Sequence, residues 1–596
     1  MATALPIELW VQVLNELPAR EPSTFATVFS FLSTNSILRA AALQNFLWEK
    51  LYTSRYTHCD EAKEGERRER LGNDFRSLFA ERYKMDRTAL RLLALIRTGR
   101  DDRLAIASQV AREMSFDVWD ALQPERRLPI PRVFRDDDDS ANDAEDEVEP
   151  HALPRRFWAD ALMGVIARSH AARTWVRTRR DAGSTFDDVL LGFSAFVGVA
   201  PQDTLLQLDE LAESCRHKLV QQGIQSDPDK PGYNLTAVIL GIRDFMHDVG
   251  FAVASGNSFV NILNQFPPCF LGPQRSSTLP ISLCWVFAGI SRRLGVRAGP
   301  TNTPGKVLCH ITSPNPQHGD MLFDVCTQDP PIVFSSKDLG TMLAEAGMPS
   351  DSRADAVLPA DLAVMVRRAA YNIFQFTSMS MHGAVSASSV DDHTRADYAA
   401  SLAIAAVCDP QEIRAAPRWP VLRALPVVPL RFPLDRKAVL LDNLPFAPQE
   451  SDRFVPDRVR RRPQPAFRGF VGQVISMGKS GLGCVYGWET VRREYVPPMD
   501  VYYVFMRLGG IPYNLTDYDK EAEPAPVTAE TVRQLRRECS RFDQYFEDVV
   551  IPNEEGLGGR LVPSEELRVT YPDDLEYGVR WTEQQLAQAG SDGASY

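Results

Sequence analysis

Between residues 409 and 465 this chain carries too much proline for a continuous helix or a central strand, Pro420, Pro426, Pro429, Pro433, Pro445 and Pro448 among them. Proline fixes φ and removes a backbone donor, so 409–465 is expected to be a semi-rigid linker with one helix over 434–442. A second interruption lies upstream. Asp136 to Asp139, then Glu145, Asp146 and Glu147, form an acidic tract without aromatic residues, expected as a disordered surface insertion at 136–149. Carboxylates in such sequence lack the preorganised geometry of a calcium site. At 596 residues the chain exceeds what one hydrophobic core supports, so several domains are expected around these breaks.

With 44% hydrophobic and 24% charged residues the rest has the texture of globular proteins. A formal charge of −12 gives no general attraction to nucleic acid or to an anionic membrane, so a nucleic-acid function would need a local basic patch. The start, Met1 to Glu8, lacks a basic region followed by an apolar core, and no run approaches the roughly 18 apolar residues of a membrane span. A cytoplasmic or nuclear protein without a membrane partner is expected. Nine scattered cysteines include no Cys-x-x-Cys pair, so no zinc or other metal site, no disulfide framework and no cofactor is signalled.

In the first fifty residues Ile7, Leu9, Val11, Leu14 and Leu17 approximate a helical stripe, with Pro6 near a first-turn position. A break from Pro18 to Pro22 follows. Phe25, Val28, Phe29 and Leu32 then repeat the spacing, and Ile37, Leu38, Ala41, Leu47 and Trp48 close a three-helix unit. So small a bundle leaves apolar area exposed, which marks a docking face. Leu5-Pro6-Ile7-Glu8-Leu9, the Leu14 and Leu17 pair and Leu47-Trp48-Glu49-Lys50-Leu51 resemble the F-box, which plugs into Skp-type adaptors of cullin ubiquitin ligases. The resemblance implies adaptor-contacting or bundle-core roles for Leu5, Pro6, Leu9, Leu14, Leu17 and Trp48. The alternative is a helical cap on the next domain.

A helical connector is expected over 56–185, interrupted by the acidic insertion. From Phe186 the texture is that of a compact domain ending near Cys408. Asn257 to Gln265, Leu279-Pro280-Ile281-Ser282-Leu283, Ser291 to Val296, Asn302 to Val307 and Leu322 to Val325 resemble, in that order, the transglutaminase-like core of the SirB type. That family's chemistry implies a cysteine nucleophile at a helix start, a histidine base and an aspartate that orients it. These positions fall here on Ser282, Lys306 and Asp324, so the triad is degenerate and the domain is expected to bind rather than to react. Ser282, beside Pro280, has a second use as a helix cap. A displaced pair, Cys284 with His310, remains an alternative. Cys284 lies about 200° round its helix from Ser282, and His310 shares a strand face with Lys306 by period-2 counting, roughly 13 Å along.

Beyond the prolines, Arg458, Arg460, Arg461 and Arg462 read either as a nuclear-import cluster or as a solvated linker face. Val471 to Ile475, Gly483 to Trp488 and Val501 to Met506 are short β-type runs between glycine turns, as in a small barrel. With Tyr545-Phe546 and Gly559 to Leu567 they resemble the YccV/HspQ family, known as hemimethylated-DNA binding. Residues 466–575 carry twelve Lys or Arg against eighteen Asp or Glu, a net of −6, which disfavours DNA. Protein or peptide contact through Tyr486, Trp488, Tyr502 and Tyr503 is the expectation, with a tail over 576–596.

These features together resemble the F-box only protein 21 family. The fold class expected is multidomain α+β: an F-box at 1–55, the connector, a transglutaminase-like core at 186–408, the linker and a small C-terminal β-barrel. The resemblance implies a substrate receptor of a Skp-cullin-F-box ubiquitin ligase, with adaptor, cullin and an unknown protein substrate as partners. A DNA-binding protein and a divergent hydrolase are the alternatives.

Overall fold

Pro6 opens the first helix, α1 (Ile7–Glu16), and Pro22 opens the second, α2 (Pro22–Thr34), each at a position where a missing amide costs nothing. Asn35 caps α3 (Ser36–Ala42) by accepting from the Leu38 amide at 2.9 Å, and α4 (Asn45–Arg55) follows after one turn. The expected third helix is thus two short ones. These data come from a computed structural model that describes residues 5–19, 21–99, 102–135, 148–179, 185–303, 306–314, 319–327, 333–345, 347–381, 390–409, 411–412, 431–444, 459–462, 468–476, 481–491, 500–507, 513–515 and 522–592. The acidic tract at 136–147 and most of the proline-rich stretch lie outside them. The described residues form two compact units, Met1–Met163 with Glu450–Tyr596, and Gly164–Gln449.

In the first unit Leu14, Val28, Leu47, Trp48 and Leu51 share a core with Phe75, Leu78 and Phe79. The last three lie on α6 (Phe75–Thr98), reached through α5 (Glu61–Leu71). The bundle therefore does not close on its own fifty residues. Each fully buried large apolar side chain contributes about 1.5–3 kcal/mol, and α6 supplies several. Asp60 and Asp74 cap α5 and α6 through the amides of Lys63 and Ser77. Behind α6, α7 (Arg103–Gln109) runs through a π-turn into α8 (Trp119–Arg126), where the buried Asp117 holds Arg67 and Arg82. The helix α9 (Ala152–Thr178) carries the chain into the second unit.

The second unit contains α10 (Phe186–Leu191), α11 (Pro201–Gln221), α12 (Leu235–Asp248), α13 (Pro267–Leu271) and α14 (Pro280–Arg293). Every residue of α14 from Ile281 to Ser291 is buried. Close packing against α11 depends on Gly289, where a Cβ would stand 2.6 Å from Leu208. An antiparallel sheet follows, β1 (Ala298–Pro300), β2 (Cys309–Ile311), β3 (Met321–Phe323) and β4 (Val333–Ser335), in sequential order. Helices α15 (Ser336–Glu345), α16 (Ser350–Val357), α17 (Leu362–Met381) and α18 (Val390–Val407) complete the unit.

Within the proline-rich stretch, residues 431–444 are packed, and the one helix expected over 434–442 is a short π-helix. Residues 436–441 form a π-turn, and Asp435 before it is fully buried, accepting from Arg168 Nη2 at 2.8 Å and Tyr398 Oη at 2.9 Å. A buried, hydrogen-bonded ion pair of this kind fixes the segment to the core of the second unit.

The chain then returns to the first unit with β5 (Val474–Ser476), β6 (Leu482–Val491), β7 (Asp500–Arg507), β8 (Tyr513–Leu515) and β9 (Glu523–Pro524). They form one antiparallel sheet in the order β8-β7-β6-β5-β9. Next come α19 (Ala529–Glu538), α20 (Phe542–Tyr545), the hairpin β10 (Phe546–Val550) and β11 (Arg560–Pro563), α21 (Glu565–Thr570) and α22 (Pro572–Asp592). Most of the stretch expected as a tail, 576–596, belongs to α22. Its Trp581 packs on Phe470 with ring centroids 5.3 Å apart, and Thr582 Oγ1 donates to the Gly558 carbonyl at 2.7 Å. Among the described residues no helix is long and apolar enough to cross a membrane.

Candidate functional site

Two of the three residues at the degenerate triad positions meet. Lys306, just ahead of β2, pairs its ammonium with the carboxylate of Asp324 at the end of β3. Asp324 is fully buried, and its Oδ1 also accepts from the Cys326 amide at 2.9 Å. A protonated ammonium has no lone pair, so Lys306 in this pair offers no general base. Ser282 points elsewhere. It is the third residue of α14, whose N-cap is Leu279, and its hydroxyl donates to the Asn264 carbonyl at 3.4 Å. The capping role expected of Ser282 is therefore not made, because the helix begins two residues earlier at Pro280.

Cys284 stands on another side of α14. Its thiol donates to the Val307 carbonyl at 3.5 Å, and Cys309 Sγ approaches the Cys284 carbonyl at 3.7 Å. The neighbouring Cys309 thiol, then complete burial, push the Cys284 thiol well above its ordinary pKa. Burial does the same to Cys326. Spacing alone missed this three-thiol neighbourhood; the alternation of Cys309 with His310 along β2 was the available signal. That alternation also separates Cys284 from His310. His310 faces the other side of the strand, where Nε2 lies 3.2 Å from Asp320 Oδ2, and burial lowers its pKa against the pull of Asp320. The displaced Cys284–His310 pair is not assembled.

Residues 202–370 match the family model of the transglutaminase-like superfamily. No curated protein and no solved structure matches the chain. In this transglutaminase-like domain Lys306 and Asp324 make a structural ion pair and Ser282 a hydroxyl-to-carbonyl bond. Among the described residues no group of three or more His, Cys, Asp or Glu is arranged to hold a metal ion.

The six residues expected in adaptor-contacting or bundle-core roles divide between exposed and buried positions. Leu5, Pro6 and Leu9 are exposed, Leu5 by 47% and Leu9 by 44%. Leu5, Pro6 and Ile7 line a shallow groove of about 460 Å³ with Ser36, Ile37 and Ala40. Leu14, at 1% exposure, and Trp48 are core residues instead, and the Trp48 indole donates to the Ala42 carbonyl at 2.7 Å. Leu17 is half-buried against the same core. The stripe from Leu9 to Leu17 is wider than one docking face, so its two sides face opposite ways.

The aromatic site expected in the C-terminal sheet is also divided. Trp488 is 2% exposed and donates to Asp574 Oδ2 at 3.0 Å, which removes it from any contact surface. Tyr486 is half-buried and stacks on Tyr545 with centroids 4.7 Å apart. The side chains of Tyr502 and Tyr503 lie outside the described residues. The described members of the basic cluster divide: Arg461 is exposed and pairs with Asp573 at the surface, while Arg462 is half-buried against Asp574 at 2.8 Å and Arg460 donates to the Trp488 carbonyl. Arg458 lies outside the described residues.

Proposed function

We propose that the chain is the substrate receptor of a Skp-cullin-F-box ubiquitin ligase and lends no catalytic side chain to the transfer. The exposed apolar groove at Leu5, Pro6 and Ile37, together with the exposed Leu9 of α1, carries this reading, because these residues sit on the helices whose sequence resembles the F-box. In this reading residues 1–55 are an F-box that buries the patch on a Skp-type adaptor. The transglutaminase-like domain and a YccV/HspQ-like barrel over 466–575 hold a protein target beside the ubiquitin-charged enzyme, and proximity accelerates transfer. Support for a non-catalytic role comes from Lys306 standing where a base would be and from the Ser282 hydroxyl turning to a carbonyl. The net charge of −6 over 466–575 and the pairing of Arg461 and Arg462 weigh against a DNA-binding role.

The test is co-purification of the full chain with a Skp-type adaptor. A double variant, Leu9→Asp with Ile37→Asp, should abolish co-migration by burying charges in the interface while leaving the helical circular dichroism intact. Retained binding in a folded double variant would remove the F-box reading.

A further inference from the structure

A second groove, on another face of the N-terminal helices, lies between α2, α4 and α6 and has a volume of about 610 Å³. Its floor is aromatic. Phe29 and Tyr83 have centroids 5.7 Å apart, Trp48 and Phe79 meet edge to face at 5.2 Å, and Leu32 adjoins them. Its rim is cationic: Arg76, Lys84, Arg87 and Arg91 line it from α6, and all four are exposed. The spacing from Arg76 through Ala80 and Lys84 to Arg87 and Arg91 is that of one helix face, about 22 Å long at 1.5 Å per residue.

The contrast with neighbouring arginines is sharp. Arg55, Arg67 and Arg82 of the same helical region are neutralised by Asp86 and Asp117. Among the described residues Lys84, Arg87 and Arg91 have no ion-pair partner, and Arg76 has only the nearby exposed carboxylate of Asp74. Four like charges along one face repel one another, and the chain as a whole is acidic at −12, so this row is a local reversal of sign.

We propose that this groove binds an acidic amphipathic helical segment of a partner protein. The apolar floor takes bulky side chains spaced at i, i+3 or i+4 and i+7, and the single row of cations takes carboxylates along one flank of the same helix. A nucleic-acid strand fits less well. Trp48 and Phe79 are 2% and 1% exposed, too little for bases to stack on. The site is separate from the Leu5 to Ile37 patch and stands whether or not that patch docks an adaptor.

Fluorescence anisotropy on the full chain tests this. The probe is a labelled peptide of roughly 18 residues with leucines on one helical face and glutamates elsewhere, and the control carries lysines in place of the glutamates. The acidic peptide should bind at least about tenfold more tightly than the control and weaken as salt rises from about 0.05 to about 0.5 M. Arg87→Glu with Arg91→Glu should weaken it by about tenfold or more. Ala80→Trp keeps the charge but fills the groove from an exposed helix position, and it should weaken binding by a similar factor. The proposal fails if the two peptides bind alike, or if the folded charge-reversed or Ala80→Trp protein binds the acidic peptide undiminished. It fails equally if a single-stranded oligonucleotide displaces that peptide and binds more tightly, which would make nucleic acid the occupant.

Discussion

The ammonium of Lys306 pairs with the fully buried carboxylate of Asp324 in the transglutaminase-like domain. The pair joins the loop ahead of β2 to the end of β3, so the two residues make a structural tie between those segments. Lys306→Ala leaves a buried charge with one backbone donor and should lower stability by about 2–4 kcal/mol, read from urea denaturation. A variant as stable as the parent would show that the pair contributes nothing.

Cys284 and Cys309 should resist thiol reagents in the native protein, since both are fully buried and the Cys309 thiol, with burial, keeps the Cys284 thiol protonated. Mass spectrometry after brief alkylation should find both unmodified before unfolding and modified after it. Native labelling of Cys284 that His310→Ala abolishes would revive the hydrolase alternative.

His310 gives a pH dependence of defined sign. Burial lowers its folded pKa below the ordinary value near 6.5, with Asp320 opposing. The folded state therefore binds fewer protons than the unfolded state as pH falls through 6.5 toward the folded pKa. Stability from this group is present above that ordinary value and lost below it. The fall in denaturation midpoint between about pH 7 and about pH 5 should shrink in His310→Gln. Equal falls in both proteins would assign the dependence to other groups.

Leu14 and Leu9 should separate folding from docking. Leu14→Ala opens a cavity in the core shared with Trp48 and Phe79 and should cost about 2–5 kcal/mol. Leu9→Ala, on the exposed side, should change stability by no more than about 0.5 kcal/mol. Thermal unfolding followed by circular dichroism compares them, and equal losses would contradict the orientation of α1.

Asp574 accepts from the Trp488 indole, from the Val471 amide at 2.7 Å and from Arg462, so three segments converge on one buried carboxylate. Asp574→Ala removes these three bonds together and should cost about 3–5 kcal/mol, with tryptophan fluorescence reporting a looser Trp488.

Much of the local structure was legible from the chain alone, because it depends on neighbours in sequence. Pro6 stands at the start of α1, the stripes around Leu14 and Val28 form helices, and the strings around Ser282, Lys306 and Asp324 resemble the transglutaminase-like domain matched over 202–370, whereas the caps at Asn35, Asp60 and Asp74 were not anticipated from the sequence. What tertiary structure decided was which side of each element faces inward. A bulge at Tyr486 breaks the period-2 count in β6 and leaves Trp488 in the core. The sheet turns His310 away from Cys284, and Asp435, placed within a stretch of prolines, is drawn into the second unit by Arg168 and Tyr398. The cationic rim on α6 becomes a groove only because α2 and α4 pack beside it. Helix starts and apolar stripes depend on residues a few positions apart, whereas facing and pairing depend on partners tens or hundreds of positions away, which composition and spacing do not encode.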